Sequence, residues 1–305
     1  MDRVSMAIEA VRTRYPHLNF NLNESMKNHT SFKIGGPVRV MFFPKSAEEL
    51  TELCGLLCRF EEKPLIVGNG TNLLVDDSKP LEMTVIKTTG IDSMIQTGET
   101  EITAGAGTPL SRLAEYACER GLTGLEYAHG IPGSLGGAVS MNAGAYGSEM
   151  KDVVISTDVF NYAVGIHTIT GAKHGFGYRH SSFSGTDDII LASTVHLQKD
   201  DKEKITAKME ELYTRRKESQ PLDLPSAGST FKRPKDGYAA ELIGKAGLKG
   251  YSIGGAQVSK KHSGFIVNND GATFADVIAI IDYVRETILK QFGVELETEI
   301  KIIRS

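Results

Sequence analysis

The sequence predicts an α+β protein with two or three subdomains, and three observations support that class. The chain has 305 residues, which is more than one small core requires. Short apolar strands repeatedly end in glycine turns and alternate with amphipathic helices. Near residue 200 the sequence becomes more highly charged. We therefore expect an N-terminal segment (residues 1–32), an α+β unit (33–199) and a second α+β unit (200–305).

The chain begins with a helix, a strand and a capped helix. Alternating charged and apolar residues predict a helix over residues 1–15, and an apolar run predicts a strand over residues 38–43. Ser46 and Glu49 form a capping box directly before an apolar stripe at residues 50–60. We expect this stripe to belong to a helix.

Short strands and glycine turns alternate in the next part of the chain. Strands are expected at residues 64–67, 73–75 and 101–107. Thr108 is expected to cap a helix whose first position is Pro109. The apolar face of that helix contains Leu110, Leu113, Ala114, Ala117 and Cys118.

The most unusual segment covers residues 130–147. Glycine occurs eight times within residues 121–150, and this segment contains no lysine or arginine. Because glycine costs conformational entropy, this density favours backbone that turns sharply and lets a flat ligand approach. Interleaved apolar residues favour a buried ligand wall over the alternative of a glycine-rich surface loop. Strands are expected to follow around residues 153–162 and 189–197.

The second unit contains the clearest helix of the chain. A charged amphipathic helix is expected over residues 202–219. Thr273 and Asp276 form a capping box before a long apolar stripe, and Gly293 ends the predicted helix. Residues 294–303 alternate between apolar and polar side chains, which predicts a half-buried strand.

Composition excludes several classes of function. The chain has 40% hydrophobic and 24% charged residues, as ordinary globular proteins do. A formal net charge of −4 argues against nucleic-acid and membrane-surface binding, which favour a basic excess. No apolar run reaches the length of a membrane span, and the first fifteen residues lack a signal-peptide core. We expect a cytoplasmic protein without nucleic-acid or membrane partners.

Three cysteines, Cys54, Cys58 and Cys118, fit a reducing compartment. Cys54 and Cys58 are four residues apart, but they share a helical stripe with leucines, and no clustered histidine completes a metal site. We therefore expect both cysteines to pack in the core and expect no metal.

The glycine turns do not match the common nucleotide fingerprints. The Gly68-x-Gly70 and Gly105-x-Gly107 turns lack the third glycine of the dinucleotide pattern. No Gly-x4-Gly-Lys-Ser/Thr sequence occurs, so kinase and NTPase chemistry is not expected. Backbone amides of residues 68–73 can instead hold a diphosphate without a cation. With residues 130–137 as the opposing cradle, this pattern favours a flavin dinucleotide, while purely structural turns remain the alternative.

Five motifs occur in order and make the chain recognisable. As a set they resemble the UDP-N-acetylenolpyruvoylglucosamine reductase family, the flavoenzymes of bacterial cell-wall precursor synthesis, from Asn28 to Ile303. Residues 183–197 contain no tyrosine, as in the shorter branch of the family. The motifs are Gly68-Asn69-Gly70-Thr71-Asn72-Leu73-Leu74-Val75, residues 130–138 (GIPGSLGGA), residues 142–147 (NAGAYG), Tyr178-Arg179-His180-Ser181 and Ala227-Gly228-Ser229-Thr230-Phe231-Lys232.

The resemblance implies a fold and a reaction. The first unit is then an FAD-binding domain of the vanillyl-alcohol-oxidase/p-cresol-methylhydroxylase type with two α+β subdomains, and the second unit binds the substrate. NADPH reduces non-covalently bound FAD, which passes hydride to the enolpyruvyl group of UDP-N-acetylglucosamine enolpyruvate. The product is UDP-N-acetylmuramate.

The resemblance also implies three catalytic residues. Arg179 has a planar fork that matches a carboxylate, and Ser229 follows a glycine that permits close approach as a proton donor. Glu299 aligns with the family's glutamate and is expected to be protonated or hydrogen-bonded near the enolate. The residues expected to bind the cofactor are Gly68, Asn69, Gly70, Thr71, Asn72, Leu73, Gly130, Ile131, Pro132, Gly133, Ser134, Gly136, Gly137, Asn142, Ala143 and Gly144.

Two other functions remain open at this point. One is a flavin dehydrogenase or oxidase of the same fold that acts on a small hydroxy acid. The other is a non-catalytic nucleotide-sugar binding protein. The lysine-rich second unit and the Ser229 motif favour a nucleotide-sugar substrate, and His129 is expected to have a structural role.

Overall fold

The computed structural model describes residues 2–305, which divide into two compact units. The first unit contains the described residues up to Leu22, Val40–Asn69 and Met83–Arg215. The second unit contains Asn23–Arg39, Gly70–Glu82 and Arg216–Ser305. The chain therefore alternates between the units, and the contiguous domain boundaries expected from the sequence stay a prediction.

Seven α-helices occur in residues 2–305. They are α1 (Arg3–Arg14), α2 (Ala47–Cys58), α3 (Leu110–Cys118), α4 (Leu135–Ser140), α5 (Lys202–Ser219), α6 (Ala239–Lys245) and α7 (Phe274–Phe292). The predicted start of the first helix at Met1 lies outside the described residues. Within the described part of the chain, no helix is both long and apolar enough to cross a membrane.

Nineteen short strands complete the described chain. In the first half they are β1 (Phe20–Ser25), β2 (Pro37–Phe42), β3 (Leu65–Val67), β4 (Leu73–Val75), β5 (Leu81–Lys87), β6 (Met94–Gln96), β7 (Glu101–Gly105), β8 (Leu122–Thr123), β9 (Gly144–Ala145) and β10 (Ser148–Glu149). The others are β11 (Val154–Asn161), β12 (Gly165–Thr170), β13 (Ile189–His196), β14 (Gln198–Lys199), β15 (Ser226–Ser229), β16 (Ser252–Ile253), β17 (Ala256–Val258), β18 (Phe265–Asn268) and β19 (Lys301–Ile303).

The first unit has two hydrophobic cores. One lies against a five-stranded antiparallel sheet in the order β12-β11-β13-β7-β6 and includes the apolar face of α3, as predicted. The other contains the buried faces of α1 and α2 together with Ile86 of β5, which pairs in parallel with β3. Ser46 caps α2 by accepting the Glu49 N–H, so the predicted cap is confirmed.

The second unit is built on a four-stranded antiparallel sheet in the order β15-β18-β17-β16, and α7 contributes much of its core. Thr273 and Asp276 form the predicted capping box at the start of α7. Gly293 ends the helix with a φ of +67°, a conformation that glycine adopts without steric cost. Strand β19 pairs in parallel with β4, with Lys301 opposite Leu73.

The long strand predicted over residues 294–303 is wrong. Only Lys301–Ile303 form a strand, because this segment changes its partner along its length. Thr298 makes an isolated bridge with Phe231, whereas Lys301 begins the pairing with β4. The alternation of burial itself persists, since Leu296 and Ile300 are buried while Glu297 and Lys301 are exposed.

Two smaller predictions are also wrong. Helix α3 is preceded by Pro109, and the buried Thr108 hydroxyl has no hydrogen-bond partner, because the neighbouring Leu110 N–H bonds instead to Gly133 O. Cys54 is buried as expected, but Cys58 is exposed. At 3.6 residues per turn, position 58 lies about 80° around the helix from Leu50, at the edge of the apolar stripe.

Acid is expected to destabilise the protein through His174. The imidazole is fully buried, with Nδ1 3.0 Å from Gly171 O and Nε2 3.0 Å from Thr157 Oγ1, and burial lowers its pKa. Since an unfolded histidine titrates near pH 6.5, the unfolded state binds more protons below that pH, and stability falls from about pH 6.5 downward. Urea unfolding at about pH 7.5 and about pH 5.5 measures this loss.

The His174→Gln variant is expected to lose less stability on acidification than the parent. Burial also lowers the pKa of His262, so His262 accounts for part of the pH dependence that remains in this variant. An unaltered pH dependence in His174→Gln would contradict this assignment.

Candidate active site

The two glycine-rich loops that were predicted to face a cofactor adjoin each other in the first unit. Asn69 Nδ2 donates to Pro132 O at 3.1 Å. A Cβ atom on Gly68 would lie 2.0 Å from Ser134 Oγ, so any other residue there would displace the Ser134 hydroxyl. After Asn69 the chain enters the second unit, which contains the rest of the first loop.

Residues 135–140 of the predicted wall form the short helix α4. Its first N–H groups bond outside the helix, with Leu135 N–H donating to Thr108 O and Gly136 N–H to Ala106 O, both at 2.8 Å. Gly137 is exposed, and the nearest atom to a Cβ built there is Ser134 Oγ at 3.6 Å. Because Gly137 is exposed and has no side chain, a flat group such as a flavin can approach its backbone.

Close packing explains why glycine occupies several of the other positions. A Cβ on Gly136 would lie 2.9 Å from Ala106 Cβ, and one on Gly144 would lie 2.6 Å from Ser148 O. Gly70, in the second unit, has a φ of +66° and would place a Cβ 2.0 Å from His29 O. At these three positions the packing alone requires glycine, whether or not a ligand is bound.

The remaining predicted cofactor contacts divide between the units. In the first unit, Ile131 packs against the core at partial exposure, and Ala143 N–H donates to Ala138 O at 2.8 Å. In the second unit, Leu73 begins β4 next to Lys301. Those in the first unit are Gly130, Ile131, Pro132, Gly133, Ser134 and Ala143, and those in the second are Thr71, Asn72 and Leu73.

Asn142 makes three hydrogen bonds inside the first unit. Its side-chain amide Nδ2 donates to Glu149 Oε2 at 2.9 Å and to Gly177 O at 3.0 Å, and its Oδ1 accepts the Lys151 N–H at 2.9 Å. The residue is 1% exposed. Its side chain is therefore committed to protein partners and leaves only the backbone for the predicted cofactor contact.

Arg179 lies in a tight turn in the first unit. Gly177 N–H donates to His180 O at 3.0 Å, and His180 N–H donates to Gly177 O at 3.3 Å. The φ of Arg179 is +52°, which costs a non-glycine residue about 1–2 kcal/mol. Strain of this kind is typical of functional sites, where the surrounding structure maintains it.

The electrostatic surroundings of Arg179 include Glu149. Lys151 forms an ion pair with Glu149 at 2.8 Å, and this bond, with a smaller contribution from the Arg179 charge, lowers the pKa of the Glu149 carboxyl. The Arg179 guanidinium carbon lies 5.4 Å from the centroid of the Tyr178 ring. The half-buried guanidinium is thus flanked by an aromatic ring and an ionised carboxylate.

Ser229 ends β15 in the second unit, beside an irregularity in the sheet. The register between β15 and β18 shifts between Ser226 and Ser229, and Gly228 has a φ of +77° with no atom within 4 Å of a Cβ built there. Such bulges redirect a side chain. The Ser229 residue is half-buried, and its hydroxyl makes no hydrogen bond to another of the described residues. It is therefore available to a ligand.

Glu299 lies close to Ser229 in the same unit. Its N–H donates to O of Thr230, the residue after Ser229, at 2.8 Å. Its own carbonyl accepts Asn72 Nδ2 at 3.1 Å. Glu299 is half-buried, whereas Glu295 and Glu297 are exposed, so Glu299 does not share the fully solvated position of the two other glutamates.

The structure thus brings Ser229, Glu299 and Asn72 together in the second unit and places Arg179 beside Asn142 in the first. Sequence reasoning missed the hydrogen bond between Asn142 and the Arg179 turn. The two segments are 35 residues apart, and nothing in the local sequence indicates the contact. The positive φ of Arg179 gave no sequence signal either, because no glycine occupies that position.

The basic residues of the second unit are partly engaged with protein groups. Lys232 forms an ion pair with Glu297 at 3.0 Å, and Lys245 with Glu241 at 2.7 Å. In the first unit, His129 Nε2 lies 3.3 Å from Glu115 Oε1, and its ring contacts Tyr213 edge-on. These contacts agree with a structural position for His129.

Two family models match the chain. The model described as UDP-N-acetylenolpyruvoylglucosamine reductase, C-terminal domain, matches residues 220–303. The model described as FAD binding domain matches residues 38–171. The second match contains both glycine loops of the first unit, and the first contains Ser229 and Glu299.

Curated proteins and a solved structure agree with these matches. The UDP-N-acetylenolpyruvoylglucosamine reductase of Caldanaerobacter subterraneus is 52% identical over 283 residues, which is 92% of this chain and 93% of that protein. The corresponding reductase of Pediococcus pentosaceus is 43% identical and covers 98% of this chain and 99% of its own. The crystal structure of the reductase from Thermus caldophilus superposes with a TM-score of 0.79 at 33% identity, over 94% of this chain and 99% of that chain.

Proposed function

The chain belongs to the UDP-N-acetylenolpyruvoylglucosamine reductase family, and from that premise we propose how its own residues carry out the reaction. The protein is an FAD-dependent, NADPH-using oxidoreductase of peptidoglycan precursor synthesis. Its substrate is UDP-N-acetylglucosamine enolpyruvate and its product is UDP-N-acetylmuramate. The observation that carries this conclusion is 52% identity to such a reductase over nearly the whole chain.

The cofactor is proposed to lie against the adjoining glycine loops of the first unit. When bound, FAD supplies the two-electron chemistry that links NADPH to the double bond of the substrate. The backbone around Gly68 and Ser134 holds its diphosphate through N–H groups, without a covalent link. The open backbone at Gly137 supports this placement.

Arg179 is proposed to bind the substrate carboxylate. Hydride addition to the β-carbon of the enolpyruvyl group leaves negative charge at the α-carbon, and that charge spreads into the carboxylate. A guanidinium fork stabilises this charge better than water does, because it is already oriented. The hydrogen-bonded turn of residues 177–180 supports the role by fixing the backbone of Arg179.

Ser229 is proposed to donate the proton that completes the reduction. The enolate formed by hydride addition is a strong base, so the weakly acidic Ser229 hydroxyl can protonate its α-carbon. The half-buried side chain and the bulge at Gly228 support this role. Glu299 is proposed to interact with the same enolate in a protonated or hydrogen-bonded form, and its half-buried position supports that role.

The two family matches also support separate binding roles for two parts of the chain. We propose that residues 33–199 form the FAD-binding domain and residues 200–305 the substrate-binding domain, since the two family models cover 38–171 and 220–303. A cytoplasmic location is proposed because all three cysteines are free thiols, which suits a reducing compartment.

The purified protein is expected to be yellow and to react in two separable steps. Under anaerobic conditions NADPH should bleach the flavin absorbance, and the enolpyruvyl substrate should restore it. UDP-N-acetylglucosamine, which lacks the double bond, is the matched control and should restore nothing. Bleaching by a small hydroxy acid without NADPH would favour an oxidase instead, and a colourless protein that binds the nucleotide sugar would contradict a flavoenzyme.

A further inference from the structure

The turn that carries Arg179 is attached at both ends to the C-terminal end of α4 and the residues just after it. On one side Asn142 Nδ2 donates to Gly177 O at 3.0 Å. On the other side Ser181 Oγ donates to Ser140 O at 2.7 Å. Asn142 and Ser181 are 1% and 0% exposed, so water does not compete for either bond.

Asn142 has no freedom to turn its amide. Its two Nδ2 hydrogens meet two acceptors, Glu149 Oε2 and Gly177 O, while Oδ1 accepts a backbone N–H from Lys151. A flipped amide would place Oδ1 against those acceptors and Nδ2 against the N–H donor. The three bonds therefore fix one orientation and, with it, the position of the Gly177 carbonyl.

The backbone of Asn142 is as unusual as its side chain. Its φ is +42°, a conformation that asparagine tolerates better than most residues apart from glycine. Glu149 remains ionised beside Lys151, so the bond from Asn142 to Glu149 is charge-assisted and strong. An aspartate at position 142 would keep the conformation but would place a second carboxylate against Glu149.

We propose that Asn142 is a positioning residue for Arg179, acting through the Gly177 carbonyl at the base of the turn. The inference rests on the carboxylate-binding role proposed above for Arg179. Because residues 140–142 lie at the C-terminal end of the helix that begins at the glycine loops, this contact aligns the Arg179 turn with the predicted cofactor wall. Displacement of a substrate-orienting group by about 1 Å lowers a rate by about 100-fold.

The test replaces Asn142 with glycine, which keeps the backbone conformation and removes all three hydrogen bonds. We expect the variant to retain FAD and to be bleached by NADPH at a rate within about threefold of the parent. Recovery of absorbance with the enolpyruvyl substrate should be about 10–100-fold slower. Asn23, exposed at a φ of +53°, provides the matched control, because Asn23→Gly makes the same exchange at an exposed position of the second unit and should change neither step.

A double-mutant cycle separates positioning from a general structural effect. If Asn142 acts through Arg179, then Asn142→Gly should slow recovery no further in an Arg179→Ala background. Additive losses, or equal losses in both steps, would overturn the inference. If Asn142→Gly does not fold, the double variant Ser181→Ala/Ser184→Ala removes both hydroxyls that bond to Ser140 O and should give the same selective loss, and its failure to do so would equally overturn it. Absence of recovery in the parent protein would instead refute the proposed function.

Discussion

Replacing Ser229 with alanine is expected to slow the recovery of flavin absorbance by the enolpyruvyl substrate by at least about 100-fold, the usual scale for loss of a proton-transfer group. Bleaching by NADPH should proceed at the parental rate, because the proton is needed only after hydride has reached the substrate. Anaerobic stopped-flow measurement of the two half-reactions distinguishes these steps. The same variant should keep its FAD, since the serine lies in the second unit and is not among the predicted cofactor contacts.

Ser226 offers a matched control for this substitution. It begins the same strand, opposite Val267, and its carbonyl rather than its hydroxyl accepts the bond from Ser31. Ser226→Ala should therefore leave both half-reactions unchanged. If Ser229→Ala slowed bleaching and recovery equally, or slowed neither, Ser229 would not be the proton donor.

Replacing Arg179 is expected to separate stability from activity. Both Arg179→Ala and Arg179→Gly should slow recovery with the substrate by about 100–1,000-fold, the scale for removing one oriented group that stabilises a developing anion. Alanine at a φ of +52° keeps the steric cost of the turn, whereas glycine does not. Urea unfolding should therefore find the glycine variant about 1 kcal/mol more stable than the alanine variant.

Two outcomes would contradict this prediction. A glycine variant less stable than the alanine variant would mean that position 179 does not adopt the left-handed conformation in solution. Recovery at the parental rate in either variant would remove Arg179 from the carboxylate-binding role. Arg179→Lys keeps the charge without the planar fork, and an intermediate rate would attribute part of the effect to bidentate geometry.

Local sequence patterns predicted most of the elements because their signals lie within a few residues. The capping boxes at Ser46 and Thr273 and the apolar face of α3 are of this kind. Each of these features depends on hydrogen bonds or packing that the local sequence specifies by itself.

The features that sequence reasoning missed depend on distant partners. Helix α4 has only six residues, two of them glycines, so its intrinsic helical propensity is low. Its first N–H groups find their acceptors outside the helix, at the carbonyl oxygens of Thr108 and Ala106. The strand predicted over residues 294–303 begins only at Lys301, because the segment first bridges Phe231 and then pairs with β4. The Asn142 contact likewise joins residues that no periodicity relates.

The alternation of the chain between its two units also affects how the protein is made. All segments of the first unit precede residue 216, so a ribosome has delivered that whole unit before the second can be completed. Asn23–Arg39 and Gly70–Glu82 cannot make their final contacts until Arg216–Ser305 has been synthesised, which takes about 5–20 seconds at common translation rates. Apolar side chains in these two early segments, such as Phe32 and Leu74, lack their final core during that interval and are natural targets for chaperones.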